Sequence, residues 1–240
     1  MVTLTGVRSD SAKATSAARA ASRPDDLSDN AHRQLIGYIG LVLPFLLILL
    51  AVIRDGMERW RSLESISAYY YTGAVAAFVG MLVSLALFLF TYRGYKNKYN
   101  RADRSAAKTA AGASLVIAFF PTTAPAGVPA LPWWTPATGV LHQAAAFVLF
   151  TMFAIFALWL FRLTADGEQP TPDKRRRNNF YLVCGIAIVV CIAWAGFNGL
   201  NGRSIFWPES IALMAFALSW LVKGYAHTTI AGAARSLLRP

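Results

Sequence analysis

Long apolar runs alternate with short polar segments along this chain, and the pattern predicts helices that cross a membrane. Six apolar segments follow a polar N-terminal stretch, and their charged side chains are confined to their ends. Most are about 20 residues long, the length that a helix needs to cross a hydrocarbon core of about 30 Å. The predicted fold is therefore an all-α, polytopic membrane protein, a bundle of six transmembrane helices. The predicted spans lie at about residues 34–53, 72–92, 106–121, 138–161, 180–199 and 206–224.

Basic residues predict how this bundle is oriented. If the N-terminus is cytoplasmic, 19 of the 23 Lys and Arg residues fall on the cytoplasmic side. Such an excess marks cytoplasmic loops, so we expect a multi-pass protein of the cell (inner, cytoplasmic) membrane with both termini inside. Residues 1–30, which have few large apolar side chains, are predicted to be a disordered cytosolic tail. Residues 31–226 would form the six-helix domain, and residues 227–240 a short basic cytosolic tail.

The composition favours a membrane protein over a soluble or nucleic-acid-binding one. Charged residues make up only 15% of the chain, against about 25% in a typical soluble protein. The basic cytoplasmic loops account for the net charge of +11, so the predicted partners are membrane lipids and not nucleic acid. Tyr92 and Trp220 fall near the predicted inner surface, where interfacial aromatic anchors lie.

No motif in the sequence predicts a cofactor or a metal. Phosphate-binding GxxxxGK loops, HExxH and GxSxG are absent. In the predicted topology His32, His142 and His227 are too far apart to share a zinc ion. Cys184 and Cys191 stand two helical turns apart, which is too far for a disulfide. We therefore expect no cofactor and no metal.

A few polar residues near the predicted outer surface are candidates for a ligand site. His142 lies near the start of the fourth span, and polar groups within membrane spans tend to be functional. The simpler explanation is a hydrogen-bonded histidine near the interface. Ser67, Tyr69 and Tyr70 precede the second span on the same side of the membrane. They suit a ligand site, or equally a helix cap and an aromatic belt.

The sixth span begins with the sequence FWPES, which contains an isolated carboxylate. Pro208 suits the first turn of a helix, and Glu209 suits the positive end of its dipole. Glu209 is the one acidic residue after Asp173, and the topology places it on the same side as His142. We therefore hypothesise a Glu209–His142 pair, with Trp207 beside it.

A basic run before the fifth span and the lysine at the end of the sixth are the predicted head-group contacts. The positive-inside pattern alone would account for these charges. Near an anionic membrane surface, each would also contribute about 1 kcal/mol to lipid binding. The predicted contacts are Arg175, Arg176, Arg177 and Lys223.

The chain resembles an uncharacterised, DUF998-like family of bacterial six-span membrane proteins, loosely related to the Frag1/DRAM/Sfk1 group. The resemblance covers about residues 32–225 and rests on the span-four histidine and the segments SISAYYYTGAVAAFVGMLVSLALFLFTYRGY, AFFPT, RRRNNFYLVCG and FWPESIALMAFALSWLVKG. It implies a six-helix bundle with both termini in the cytosol. It implies no established activity, although the wider group is associated with membrane lipids.

Three functions fit these observations. The favoured one is a membrane protein that is not an enzyme and binds a lipid or small apolar ligand in the outer half of the bundle. Its predicted ligand-binding residues are Ser67, Tyr69, Tyr70, His142, Trp207 and Glu209. The alternative is a membrane-embedded lipid hydrolase or transferase that uses Ser67, His142 and Glu209, and the third is a small channel or transporter. The small residues of the third span suit packing inside the bundle or against a second copy, so a homo-oligomer is left open.

Overall fold

Helices provide the regular structure of this protein. The computed structural model describes residues 24–58, 63–94, 98–164 and 169–225. Within those ranges there is no strand. The α-helices that form the bundle are α1 (Pro24–Asp55), α2 (Val75–Thr91), α3 (Asn100–Phe119), α4 (Pro136–Leu158), α5 (Pro172–Leu200) and α6 (Phe206–Lys223). Two short 3-10 helices accompany them, Ile66–Tyr71 before α2 and Leu160–Arg162 after α4.

The all-α prediction is confirmed, whereas the count of six spans stays a prediction. Among the described residues, three helices are long and apolar enough to cross a membrane: Asp29–Asp55, Pro136–Arg162 and Pro172–Leu200. α2 is apolar but only 17 residues long. α3 carries four charged side chains in its first half, and α6 carries one at each end.

α1 begins earlier than the first predicted span. It starts at Pro24, so residues 24–30 belong to a helix and not to the predicted disordered tail. Its 32 residues extend about 48 Å, which exceeds the thickness of a hydrocarbon core. The rest of the predicted N-terminal tail, residues 1–23, and the predicted C-terminal tail, residues 227–240, lie outside the described residues.

The six helices pack in a ring that follows their order in the chain. Each helix contacts the next, α6 closes the ring against α1, and α4 also touches α6 across the interior. Ser67, His142 and Glu209 meet where α2, α4 and α6 begin; we call this the Glu209 end. At the other end, called the Lys223 end, the Gln34 side chain of α1 donates to the Gly224 carbonyl after α6 at 2.7 Å. The helices therefore alternate in direction.

Aromatic rings on α4 and α6 fill the interior. Phe153 and Phe216 stack with centroids 3.5 Å apart and an interplanar angle of 16°. Trp220 is fully buried against the rings of Tyr92 and Phe161. The prediction that Tyr92 and Trp220 are interfacial anchors is therefore wrong. Both side chains are buried because they face the interior of the bundle.

Small residues allow the helices to approach closely. A Cβ atom at Gly37 would lie 2.7 Å from the Leu221 side chain and 2.9 Å from the Ala217 carbonyl oxygen, so α1 and α6 are in near-backbone contact there. On α3 six alanines face the interior of the bundle, whereas Gly112 is exposed. The buried alanines of α3 are Ala106, Ala107, Ala110, Ala111, Ala113 and Ala118.

Candidate functional site

A short 3-10 helix, Ile66–Tyr71, places the first candidate residues inside the Glu209 end of the bundle. Ser65 caps it, because its hydroxyl accepts the Ala68 N–H at 3.0 Å. Serine is a preferred residue at this position for that reason. The turn directs Ser67 inward, where it is 8% exposed.

Ser67 and His142 are joined directly by a hydrogen bond. His142 Nε2 lies 2.8 Å from Ser67 Oγ, and His142 Nδ1 lies 2.5 Å from the Phe120 carbonyl oxygen. A carbonyl oxygen can only accept, so Nδ1 carries a proton, and in the neutral imidazole Nε2 is then the acceptor. The Ser67 hydroxyl therefore donates to His142. This is the tautomer that a serine and its general base require.

The Phe120 carbonyl can bond to His142 because α3 ends just before this residue. Phe120 precedes Pro121, and a residue before proline is pushed towards an extended backbone. Its φ and ψ are −112° and 109°, which turns its carbonyl away from the helix axis. His142 itself follows a capping box between Thr135 and Thr138 that starts α4. Local sequence signals thus position both partners.

Glu209 is buried in the first turn of α6 and bonds to the residue next to Ser67. Its Oε2 accepts the backbone N–H of Ile66 at 2.7 Å, and the residue is 9% exposed. In the described part of the chain no hydrogen bond joins Glu209 to His142, so the hypothesised direct pair is not present. The two side chains instead bond to adjacent residues of the 3-10 helix, which lies between α4 and α6.

The tyrosines and Trp207 lie in different environments and make different contacts. Tyr69 is fully buried, and its ring lies 6.2 Å from that of Phe206. The Tyr71 hydroxyl donates to the Thr122 carbonyl oxygen at 2.8 Å. Trp207 is 60% exposed and points away from the site, because it lies one position along α6 from the inward-facing Phe206.

Burial affects the acidity of two tyrosines at this end. It raises the pKa of the Tyr70 hydroxyl above its ordinary value. Burial also raises the pKa of Tyr71, and the nearby Tyr70 raises it further. Both hydroxyls are therefore neutral at physiological pH and act as hydrogen-bonding groups. Tyr70 also packs edge-on against Phe78, with centroids 6.0 Å apart.

The segment between α3 and α4 is bonded to the site through its first residues. Thr122 accepts from Tyr71 through its carbonyl and from Gln143 through its hydroxyl, the latter at 3.2 Å. Together with the bond that His142 donates to the Phe120 carbonyl, these contacts hold the segment over the histidine. His142 has no exposed surface.

A narrow cavity lies beside Ser67 and Glu209. Its volume is about 40 Å³, and a water needs about 10–15 Å³ of such space. It therefore admits a few waters, whereas pockets for drug-sized ligands are about 300 Å³ or larger. Ser67 and Glu209 are its polar lining residues, and the rest of the wall is apolar. The apolar lining includes Leu43, Phe78, Leu82, Ala146, Phe150 and Leu213.

Sequence reasoning did not identify the apolar walls of this cavity or the carbonyl partner of His142. Phe78 and Phe150 look like any other apolar residues of a span, because periodicity does not distinguish a cavity wall from packed core. The Phe120 carbonyl is a backbone atom and has no side-chain signature. The AFFPT motif does indicate this carbonyl, since a helix that ends before proline exposes a carbonyl.

The predicted head-group residues lie at the Lys223 end in different environments. Arg175 and Arg176 are exposed. Arg177 is half-buried, and its guanidinium lies 4.7 Å from the Tyr225 ring centroid. Lys223 is 8% exposed and donates to the Phe161 carbonyl oxygen.

No metal-binding group is found in residues 24–58, 63–94, 98–164 and 169–225, where no three His, Cys, Asp or Glu side chains converge suitably. Cys184 and Cys191 are buried free thiols.

Comparisons with known protein families, with curated proteins and with solved structures find no match for this chain. The geometry of the site is therefore the basis for a functional proposal.

Proposed function

We propose that this chain is a six-span protein of the cell inner membrane, with both termini in the cytoplasm. Three of its helices are long and apolar enough to span, and the other three pack with them in one ring. Large apolar side chains such as Phe147, Val183 and Phe197 are more than half exposed. Exposed apolar surface of this kind suits contact with lipid. The resemblance to DUF998-like proteins stays a prediction beside this proposal.

Cysteine labelling in intact cells tests the topology. The proposal expects a membrane-impermeant maleimide to label Ala130→Cys, in the α3–α4 connection, and not Gln169→Cys, in the α4–α5 connection. Both positions are exposed, so detergent should make both reactive. Labelling of Gln169→Cys alone would reverse the orientation, and equal labelling of both in intact cells would contradict the alternation of the spans.

For the function, we propose that the protein binds a lipid or a small apolar molecule at the Glu209 end. The observation that supports this is the cavity, which is lined by apolar side chains together with Ser67 and Glu209. Pockets for such ligands combine apolar walls with a few polar groups that fix orientation. A hydroxyl or carbonyl of the ligand would meet Ser67 and Glu209, and its apolar part would lie against Phe78 and Phe150.

The size of the cavity limits how binding occurs. At about 40 Å³ it admits only a small molecule or the end of a chain. A longer acyl chain would enter by displacing the Phe150 side chain, which is only partly buried. The proposal therefore includes widening of the cavity between α2 and α4 when a long ligand binds.

A photoactivatable fatty acid in proteoliposomes tests this proposal. Ala146→Phe fills the cavity from α4, whereas Val140→Phe adds a ring on the same helix at a position that is 69% exposed. We expect cross-linking to decrease several-fold in Ala146→Phe and to stay unchanged in Val140→Phe. Equal cross-linking of the two variants would show that the fatty acid contacts only the outer surface.

A second candidate, a lipid acyl hydrolase or transferase, is favoured by the Ser67–His142 hydrogen bond. In such a reaction Ser67 Oγ would attack an acyl carbonyl while its proton passes to His142 Nε2. His142 would then return this proton to the departing alcohol, and water or a second alcohol would release the acyl group from Ser67. Glu209 would act as a positioning residue through the Ile66 N–H.

A fluorophosphonate probe distinguishes this candidate from a binding protein. A reactive serine displaces fluoride and forms a bond to phosphorus, so an enzyme of this type should be labelled at Ser67. We expect labelling to be lost in Ser67→Ala, reduced in His142→Ala, and unchanged in Ser84→Ala on the exposed side of α2. A folded wild-type protein that is never labelled, even with detergent-solubilised lipid present, would exclude the hydrolase.

A further inference from the structure

The outer face of α3 carries three basic residues in line near the Lys223 end. Arg101, Arg104 and Lys108 are exposed, and their spacing of three and four residues places them on one side of the helix. They span about 10 Å along the helix axis. Asp103, the acidic residue of α3, is buried and faces the interior, where its carboxylate accepts the Tyr92 hydroxyl at 3.2 Å. The positive charge of this part of α3 therefore faces away from the bundle.

These three cations line an open groove on the surface of the bundle. Its volume is about 490 Å³, which lies within the range of about 300–1,000 Å³ that is usual for ligand sites. The other described residues that line it carry hydroxyl or amide groups, and none of the described lining residues is acidic. Such a lining suits an anion whose oxygens accept several hydrogen bonds. The lining residues are Asn100, Arg101, Arg104, Ser105, Lys108 and Thr109.

Apolar surface begins directly beside the last of these cations. Lys108 Nζ lies 5.6 Å from the ring centroid of Phe90 on α2, and Phe90 and Leu87 are each 59% exposed. Gly112, one turn beyond Lys108, is exposed, and a Cβ atom there would meet nothing within 4 Å. The outer surface of α2 and α3 therefore offers room for a hydrocarbon chain next to the cationic groove.

The positions of these charges are more specific than the positive-inside pattern requires. That pattern places basic residues in cytoplasmic loops, whereas Arg104 and Lys108 lie within α3. Lys108 is about 12 Å along the helix from its start at Asn100. A charge exposed at this depth in a membrane is costly unless it reaches the polar surface or an anionic partner.

We propose that Arg101, Arg104 and Lys108 bind the head group of an anionic phospholipid in the cytoplasmic leaflet. The guanidinium of Arg104 would donate to two phosphate oxygens, and the Lys108 ammonium would donate to a third oxygen. One acyl chain would lie against Phe90 and pass over Gly112. Because this apolar surface adjoins the cations, a phospholipid fits the groove better than free phosphate does.

This lipid site is separate from the proposed ligand cavity. Ser67 and Glu209 line the cavity at the other end of the bundle. α3 begins at the Lys223 end, since Tyr92 contacts both Asp103 and Trp220 there. The site rests on the proposal that the chain is embedded in a membrane, and on neither the cavity nor its ligand.

Native mass spectrometry of the full-length protein in nanodiscs tests the site by counting the lipids of each kind retained. The discs contain equal phosphatidylglycerol and phosphatidylcholine in both leaflets, so the result does not depend on the orientation of the chain. The test variant is Arg104→Gln/Lys108→Gln, and the control is Arg175→Gln/Arg176→Gln. The control removes the same charge at the same end of the bundle, from exposed residues that do not line the groove. A parallel titration with inorganic phosphate, in discs of phosphatidylcholine alone, is followed by the thermal unfolding midpoint.

We expect the wild type and the control to retain phosphatidylglycerol preferentially, and the test variant to lose the preference by about fivefold for each charge removed. If the double variant does not fold, Lys108→Gln carries the experiment, with about a fivefold loss expected.

Equal losses in the test and control variants would show only a general attraction to anionic lipid and would overturn the site. Stabilisation of the wild type by inorganic phosphate, without a lipid preference, would assign the groove to free phosphate and overturn the lipid site. A wild type that responds to neither probe would overturn it as well. A chain that does not enter nanodiscs at all would refute the membrane proposal together with the site.

Discussion

The bond between Glu209 and the Ile66 N–H gives the sharpest prediction about this structure. The N–H is buried and has no alternative acceptor within the 3-10 helix, because it belongs to the first residue of that helix. Glu209→Leu keeps a similar side-chain size but removes the acceptor. Glu209→Gln keeps an acceptor oxygen and removes only the charge. The two variants therefore separate the hydrogen bond from the carboxylate charge.

The expected loss in free energy of unfolding follows from the interactions that each variant removes. A buried N–H left without a partner costs about 1–3 kcal/mol, and the favourable position of a carboxylate at a helix N-terminus is worth about 0.3–1 kcal/mol. Glu209→Leu should therefore lower the free energy of unfolding by about 1–4 kcal/mol in total. Glu209→Gln should lower it by less than about 1.5 kcal/mol, because a neutral acceptor still satisfies the N–H.

Thermal unfolding in detergent, followed by tryptophan fluorescence, measures the effect. For a chain of this size about 1 kcal/mol shifts the Tm by roughly 2–4 °C, so Glu209→Leu should lower it by roughly 2–16 °C. Glu64→Leu is the control, since Glu64 is exposed near the same end and contributes through its backbone carbonyl. If Glu209→Gln proves as destabilising as Glu209→Leu, the carboxylate charge matters and acceptance of the N–H does not.

Five further variants test the packing and the hydrogen bonds of the site, each by the same unfolding measurement. Trp220→Ala should cost about 3–5 kcal/mol because the ring is fully buried, whereas the exposed Trp207→Ala should cost less than about 1 kcal/mol; similar losses would contradict the rotation of α6. Gly37→Ala should cost about 1–3 kcal/mol because the added Cβ meets α6. Gly80→Ala, with nothing within 4 Å, should stabilise by up to about 1 kcal/mol, and a loss there would refute the assigned open face. His142→Ala should cost about 2–4 kcal/mol by removing the partners of Ser67 and Phe120; an unchanged Tm would mean that neither bond stabilises the fold.

Much of the helical architecture could be predicted from the order of apolar and polar residues. Each of the six predicted segments contains a helix, because a helix satisfies the backbone hydrogen bonds of a long apolar run within the segment itself. The boundaries were less accurate. α1 begins at Pro24 and α3 at Asn100, both earlier than the predicted spans. A helix can extend into polar sequence wherever its flanking turns still form hydrogen bonds.

The candidate site was predicted in part. Alternating helix directions place Ser67, His142 and Glu209 at the same end, and the order of the chain is sufficient to predict that. The predicted direct bond between Glu209 and His142 is wrong in detail, because it depends on which residue of the 3-10 helix faces which neighbour. Helical periodicity does not predict the side-chain directions in this 3-10 helix, because its backbone conformation is set by the Ser65 cap.

By itself, the sequence determined that this protein is helical, that its apolar surface suits a membrane, and which end of each helix holds the polar residues. Tertiary structure decided the rotation of each helix, and therefore which of two adjacent residues faces the interior. Phe206 is buried and Trp207 is exposed, while Lys174 reaches the Phe161 carbonyl and Arg175 faces outward. Both members of each pair are of the same chemical type. Only contact with neighbouring helices distinguishes them, because hydropathy reports depth along a helix and not the direction in which a side chain points.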